Sequence, residues 1–201
     1  MFKLLVVLFM LFSTLVIFGQ DFQYVGAEKC KTCHKKEKEG QQFPLWEKSA
    51  HAKAFETLKS EEAAKIAKEK GIKVPAYEAA ECLKCHVTGF GKGGYEVKDE
   101  AFWNPKEGDT EGSKAVKRMA SLQAVGCESC HSAGSAYRKK KIMKDREESI
   151  KNGLNAMLVS DGTAEKQCKT CHNEESPTNK EFDFKKQWEE IAHPIPEAAE
   201  K

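Results

Sequence analysis

The sequence predicts a mainly α fold: a single compact domain with long loops and little strand. Several stretches rich in Ala, Glu and Lys have the apolar spacing of amphipathic helices. A glycine-rich segment, residues 89–112, lies between them and is typical of a loop. Little strand signal remains elsewhere, which favours helices joined by loops over a sheet protein.

The first predicted helical stretch covers residues 45–70 and is expected to break near Ser60. The Ser60 hydroxyl can cap a second segment, because two glutamates follow it at the positively polarised end of that helix. Gly71 and Pro75 end the stretch, since neither residue continues a helix readily.

The glycine-rich segment is predicted to be a loop with a short hairpin around residues 95–97. Two further helices are predicted after it. One covers residues 141–152 and is closed by Gly153, and the other covers residues 184–192 and is stopped by Pro194.

Residues 1–20 have the layout of a secretory signal peptide. Lys3 precedes an apolar run over residues 4–18, which is shorter than the roughly 20 residues of a comfortable membrane span. Export with cleavage is therefore predicted, and residues 21–201 form the mature domain, with no stable membrane span. An uncleaved anchor is the alternative, because Gly19 is the one small residue at the expected cleavage site.

The eight cysteines all fall in Cys-x-x-Cys-His units, and none is left over. Two thiols at this spacing meet the two vinyl groups of one porphyrin, and the imidazole that follows lies under the iron as its proximal ligand. The sequence therefore predicts four covalently bound haem c groups. The four units are Cys30-Lys31-Thr32-Cys33-His34, Cys82-Leu83-Lys84-Cys85-His86, Cys127-Glu128-Ser129-Cys130-His131 and Cys168-Lys169-Thr170-Cys171-His172.

Three other uses of paired cysteines explain the pattern less well. A zinc ribbon draws four ligands from two units and gives no reason for a histidine after every pair. Short-loop disulfides suit an oxidising compartment, and a thioredoxin-like unit suits one redox pair. Neither accounts for the repeated histidine.

The predicted haems must supply much of the core. A mature chain of about 180 residues has to enclose four of them, so each receives far fewer residues than a domain normally spends on one core. Apolar porphyrin faces then replace aliphatic side chains, and the long loops are supported by haem. The chain is not expected to fold without haem.

Two histidines, His51 and His193, remain free to bind an iron from the opposite side. With six histidines in all, at most two irons can have paired imidazoles, and the others take Met, another ligand, water or nothing. His193 is nearest in the chain to the fourth unit and is expected there, whereas His51 is expected to cross to another unit. Either residue could instead be an ordinary core or surface histidine.

Met143 is the methionine best placed to bind an iron. It follows the third unit after a short basic connection, near the start of a predicted helix. Ordinary core packing is the competing explanation and is favoured for Met119 and Met157. A Met ligand would raise the potential of its haem relative to one with paired histidines.

The formal net charge of +2 argues against a nucleic-acid partner. The densest positive patch consists of residues 138–141 with Lys144. It could neutralise haem propionates or guide an acidic redox partner, although such a run is usually a solvated face.

The flanks of the four units resemble those of the tetrahaem cytochrome c-554 family of ammonia-oxidising bacteria. The resemblance covers most of the mature chain and is more specific than the attachment motif alone. The matching flanks are Trp46, residues 49–54 (Ser-Ala-His-Ala-Lys-Ala), residues 87–91 (Val-Thr-Gly-Phe-Gly), residues 93–95 (Gly-Gly-Tyr), residues 125–131 and residues 182–193.

This resemblance implies a mostly helical fold with closely stacked haems and a role in accepting electrons, in that family from hydroxylamine oxidoreductase. It implies that His51 and His193 are distal iron ligands and that the iron behind His86 is five-coordinate. The chain departs from the family at residues 139–143, where the family has a further distal histidine. Met143 is the natural substitute for that ligand.

Three functions are compatible with these features. The first is a periplasmic electron carrier, not an enzyme, between partners such as a periplasmic oxidoreductase and a membrane quinone-linked or terminal acceptor. The second is a haem enzyme that reduces a small nitrogen oxide at the open iron, and the third is a subunit of a larger respiratory complex. The carrier is favoured, because an open iron permits ligand binding without implying turnover.

Overall fold

The computed structural model describes residues 22–179 and 181–194, so the predicted signal peptide lies outside the described residues. Within those two ranges the chain forms helices, turns and loops and no strand, which confirms the predicted mainly α class. None of the helices in these ranges is long and apolar enough to cross a bilayer.

The described part of the chain contains twelve short α-helices and two 3-10 turns. The 3-10 turns are Glu37–Glu39 and His51–Lys53. The α-helices are α1 (Glu28–His34), α2 (Gln42–Glu47), α3 (Ala54–Thr57), α4 (Glu61–Glu69), α5 (Ala80–His86), α6 (Glu100–Trp103), α7 (Thr110–Ala120), α8 (Cys127–His131), α9 (Lys140–Met143), α10 (Arg146–Lys151), α11 (Thr163–Cys168) and α12 (Phe184–Ile191).

The predicted break at Ser60 is confirmed. The Ser60 hydroxyl accepts a hydrogen bond from the Ala63 backbone N–H at 3.1 Å and so caps α4. The stretch before Ser60 is less regular than predicted, because α2 ends at Glu47. The His51 carbonyl accepts from the Val125 N–H at 3.1 Å, so a distant segment satisfies a group that a continuous helix would have used.

The glycine-rich segment contains helix where a loop was predicted. Asp99 caps α6 and Asp109 caps α7, each through a 2.9 Å hydrogen bond from a backbone N–H to its carboxylate. The predicted hairpin at residues 95–97 is wrong. The Tyr95 N–H donates to the Thr88 carbonyl, which folds this segment back on itself as a loop.

The third predicted helix is present as two shorter ones. Asp145 accepts from the Glu148 N–H at 3.0 Å and starts α10 anew after α9, which explains the break. The last predicted helix is confirmed as α12, with Asp183 as its cap. The rings of Phe184 and Trp188 lie 5.7 Å apart on one face, as their spacing predicts.

Buried apolar side chains concentrate around α5. Leu83, which lies inside the second Cys-x-x-Cys-His unit, is 0% exposed. The buried cluster around it consists of Phe55, Leu58, Ala67, Ala76, Leu83, Val87, Tyr95, Met119 and Leu122. The second unit is therefore held in part by side-chain packing.

Candidate haem-binding site

Short helices present the paired cysteines. The helices α1, α5 and α8 each end at the histidine of their unit, and α11 ends at Cys168 of the fourth unit. Cysteines three positions apart lie on one face of a helix, so both sulfurs of the first, second and third pairs point to the same side. No disulfide joins any of the eight cysteines.

Three of the four motif histidines have their Nδ1 atom within hydrogen-bond distance of an oxygen. Nδ1 of His86 lies 2.7 Å from the Ala54 carbonyl, and Nδ1 of His131 lies 3.0 Å from the Asn155 carbonyl. Nδ1 of His34 lies 3.1 Å from the side-chain oxygen of Gln42. When Nδ1 donates to these oxygens, the lone pair is left on Nε2, which is the arrangement that second-shell contacts impose on metal-bound histidines.

The two remaining histidines each face a motif histidine. The ring centres of His51 and His172 are 6.0 Å apart, and those of His193 and His131 are 5.9 Å apart. A metal–imidazole bond is about 2 Å long, so two imidazoles on opposite sides of one iron have ring centres about 6 Å apart. Both pairs therefore have the separation that a bis-imidazole iron requires.

The expected pairing of His193 with the fourth unit is not observed. Phe182 stacks on His172 at 4.6 Å, so the segment entering α12 lies beside the fourth unit. The eight residues of α12 then span about 12 Å and carry His193 to His131 of the third unit. His51 crosses to the fourth unit, in line with the expectation that it serves a distant one.

Burial lowers the pKa of all four of these imidazoles and so favours their neutral form. Burial lowers the pKa of His51, and the nearby His172 lowers it further. Burial also lowers the pKa of His131 and outweighs its hydrogen bond to Asn155, which acts in the opposite direction. A neutral imidazole retains the lone pair with which histidine binds a metal.

The four units lie next to one another in a definite order. The Cys30 thiol is within hydrogen-bond reach of Cys127, which joins the first unit to the third. Cys130 of the third unit is half-buried and lies near Cys168 and Cys171 of the fourth, and the Gln167 side chain donates to the Ser129 carbonyl at 2.9 Å.

The Cys171 thiol in turn contacts that of Cys85, which places the second unit beside the fourth. The order in space is therefore first, third, fourth, second, which differs from the order along the chain.

Met143 is half-buried at the end of α9. Arg138, which precedes Met143 by five residues, lies close enough to Cys30 of the first unit for its charge to act there. The segment that leads to Met143 therefore passes close to the first unit. The basic residues 138–141 and Lys144 are exposed.

A cavity of about 580 Å³ adjoins the fourth unit. Its walls include His172 and Phe182 together with Lys169, Asn173 and Glu181. Among the residues that the structure describes, no three His, Cys, Asp or Glu side chains converge as they would around a zinc ion.

Two residues that contact the motif histidines were not anticipated from the sequence. Asn155 binds the third unit at three points, because its N–H donates to the His131 carbonyl, its carbonyl faces His131 Nδ1 and its side-chain amide donates to the Cys130 carbonyl. Gln42 accepts from His34 and donates to the Pro194 carbonyl at 3.0 Å. No pattern in the sequence marks either residue, since both act across long chain separations.

The residues present fit a covalently bound porphyrin at each unit: paired thiols on one face, and an adjoining imidazole that in three units is held with Nε2 free. This chemistry defines a class, the multihaem c-type cytochromes, and the chain is a member of it.

Comparison with known proteins identifies the family. Residues 29–107 match the family described as cytochrome c554 and c-prime. The chain is 35% identical over 161 residues to cytochrome c-554 of Nitrosomonas europaea, a match that covers 76% of this chain. It resembles the reduced-state structure of cytochrome c554 from Nitrosomonas europaea with a TM-score of 0.52 and 26% identity, over 85% of this chain and 78% of that one.

The chain belongs to the cytochrome c-554 family and carries four covalently bound haem c groups. The match spans 58% of the length of the curated relative.

Proposed function

We propose that the chain is an electron carrier that passes single electrons between redox proteins and does not itself convert a substrate. Bound haem iron supplies the one-electron chemistry, and its axial ligands tune the reduction potential. The adjacency of the four units is the observation that carries the proposal. Cys30 lies beside Cys127, the Gln167 amide next to Cys168 donates to the Ser129 carbonyl of the third unit at 2.9 Å, and Cys171 lies beside Cys85, so the four attachment sites form one continuous series.

Within this proposal every cysteine of the four units forms a thioether bond, and each motif histidine is a proximal ligand. His51 is the distal ligand opposite His172, and His193 is the distal ligand opposite His131, as their ring separations support. The iron behind His86 has no distal side chain and is five-coordinate. Met143 is the distal ligand in the first unit, opposite His34.

The proposed location is the periplasm, with residues 1–20 as signal peptide and residues 21–201 as the tetrahaem domain. Haem c is attached outside the cytoplasm, which agrees with an exported chain. The proposed partners are a periplasmic oxidoreductase as donor and a membrane quinone-linked or terminal protein as acceptor.

The proposal is tested on the purified holoprotein by optical spectra and low-temperature electron paramagnetic resonance in both redox states. We expect four haems, with two low-spin bis-histidine components, one His/Met component and one high-spin component. Nitric oxide is expected to bind the high-spin iron without being consumed when an electron donor is present. Steady consumption of nitric oxide would show a reductase instead, and fewer than four haems would contradict the proposal.

Replacing Met143 with Ala is expected to remove the His/Met component and to leave a second high-spin iron, with the haem count unchanged. The thioether is the soft ligand that raises the potential of its iron, so the same variant should lower that potential. Spectroelectrochemical titration measures both effects. Met157→Ala is the matched control, and an equal response in the two variants would rule out Met143 as the ligand.

A further inference from the structure

Glu128 occupies the third unit, between Cys127 and Cys130, and its side chain is buried. The residue is 2% exposed. Its Oε1 accepts from the Val25 N–H at 2.9 Å and from the Gly134 N–H at 2.6 Å. Its Oε2 accepts from the Gly26 N–H at 2.7 Å and from the Val25 N–H at 3.0 Å. The carboxylate therefore joins the start of the described chain to both sides of the third unit.

The hydrogen-bond pattern identifies the charge on Glu128. Both oxygens accept from N–H donors, which is the pattern of an ionised carboxylate, since a protonated one would have to donate from one oxygen. Its partners in the described structure are backbone N–H groups, and it forms no ion pair there. The negative charge is stabilised by these N–H dipoles but is not cancelled by a cation.

The negative charge of Glu128 affects side chains near the third and first units, namely Tyr24, Tyr137 and Cys30. Tyr24 and Tyr137 both have raised pKa values, chiefly because they are buried and next because Glu128 is close. Cys30 of the first unit lies beside Cys127 and close enough to Glu128 to be affected by its charge. A buried charge acts more strongly on its neighbours than an exposed one, because less water screens it.

We propose that Glu128 is a positioning residue that tunes redox potential: its buried negative charge stabilises the oxidised state of the irons held by the third and first units and so lowers their reduction potentials. The inference rests on the proposed electron-carrier function. It adds a residue that helps to set the differences in reduction potential among the four irons. A ferric centre carries one more positive charge than a ferrous one, so a fixed anion nearby favours the ferric form. Glu128 is the one carboxylate inside any of the four motifs, and the first unit comes under its influence because Cys30 lies beside Cys127.

A purely structural role for Glu128 makes a different prediction. If the residue only fastens Val25 and Gly26 to the third unit, any substitution that weakens this contact should lower stability without a selective change in potential. Glu128→Gln keeps the size of the side chain and removes the charge. Glu128→Asp keeps the charge and shortens the side chain, which loosens the contact.

The experiment is a spectroelectrochemical titration of the full-length holoprotein and these variants. Glu128→Gln is expected to raise the ferrous-to-ferric ratio of the third-unit and first-unit irons roughly tenfold at a fixed potential, which is about 59 mV for one electron. Glu128→Asp is expected to leave those ratios nearly unchanged. Glu81→Gln is the matched control, because Glu81 is an exposed carboxylate directly before Cys82 and water screens its charge.

The inference fails if Glu128→Gln shifts the potentials no more than Glu81→Gln does, or shifts all four equally. If Glu128→Gln does not fold, the potentials of Glu128→Asp provide the test. This variant keeps the charge, so a tenfold change in its ferrous-to-ferric ratios would contradict tuning by charge. An unaltered protein without four one-electron components would contradict the proposed function itself. If the unaltered protein shows four one-electron steps and Glu128→Gln changes none of their potentials, only this inference is contradicted.

Discussion

Replacing His51 with Ala is expected to convert one of the four irons from low-spin to high-spin while all four haems stay attached. The ring of His51 lies 6.0 Å from that of His172, the separation that a shared iron requires. Removal of one imidazole leaves that iron with a single strong ligand, and axial ligands determine spin state and potential. Electron paramagnetic resonance of the oxidised protein should show one bis-histidine component lost and one high-spin component gained.

His193→Ala is the matched comparison for this variant. It should remove the other bis-histidine component, because His193 faces His131 in the third unit. The double variant should then lose both. If the two single variants abolish the same component, or if His51→Ala leaves the spectrum unchanged, the assignment of these histidines as distal ligands is incorrect.

Removal of the third attachment site, by Cys127→Ser together with Cys130→Ser, is expected to prevent the chain from reaching its native fold. Cys127 lies beside Cys30 and Cys130 lies near the fourth unit, so the lost haem would have neighbours on both sides. The buried side-chain cluster is centred on α5 and does not replace it. Because a domain is stable by only about 5–15 kcal/mol, loss of a large apolar group at this position should exceed the available stability.

The measurement is intact mass, which should fall by one haem, combined with protease sensitivity and urea unfolding. The control removes the second site by Cys82→Ser with Cys85→Ser. The second unit lies at one end of the series, and Leu83 within it is already buried by other side chains, so three haems should remain packed and a cooperative transition should persist. The opposite ranking of these two variants would contradict the view that the third unit is central to the fold.

Features that depend on adjacent residues could be predicted from the sequence. The four attachment units were evident because thioether bonding and proximal ligation use five consecutive residues. The break at Ser60 and the last helix before Pro194 were evident for the same reason, since caps and helix ends are local. In contrast, α7 was missed because Gly112 lies in its first turn and obscures the cap that Asp109 provides.

Features that depend on distant contacts could not be predicted in this way. Nearness in the chain suggested the fourth unit for His193, but the length of α12 carries it to the third. The hydrogen bonds of Asn155 to the third unit and of Gln42 to His34 follow only from the tertiary arrangement. The irregular turn around His51 receives a hydrogen bond from the distant Val125 N–H, a residue pair that no local pattern connects.

The side chain of Gln42 connects the two ends of the described chain. Its oxygen lies beside His34 Nδ1, and its amide N–H donates to the Pro194 carbonyl. A protease that trims the carboxyl-terminal segment would thus remove two contacts: the His193 imidazole and the hydrogen bond of the Pro194 carbonyl. Cleavage before His193 would remove the imidazole that faces His131 and, with Pro194, the carbonyl that accepts from the Gln42 amide. Loss of these last residues would therefore change the surroundings of His34 and of His131 together.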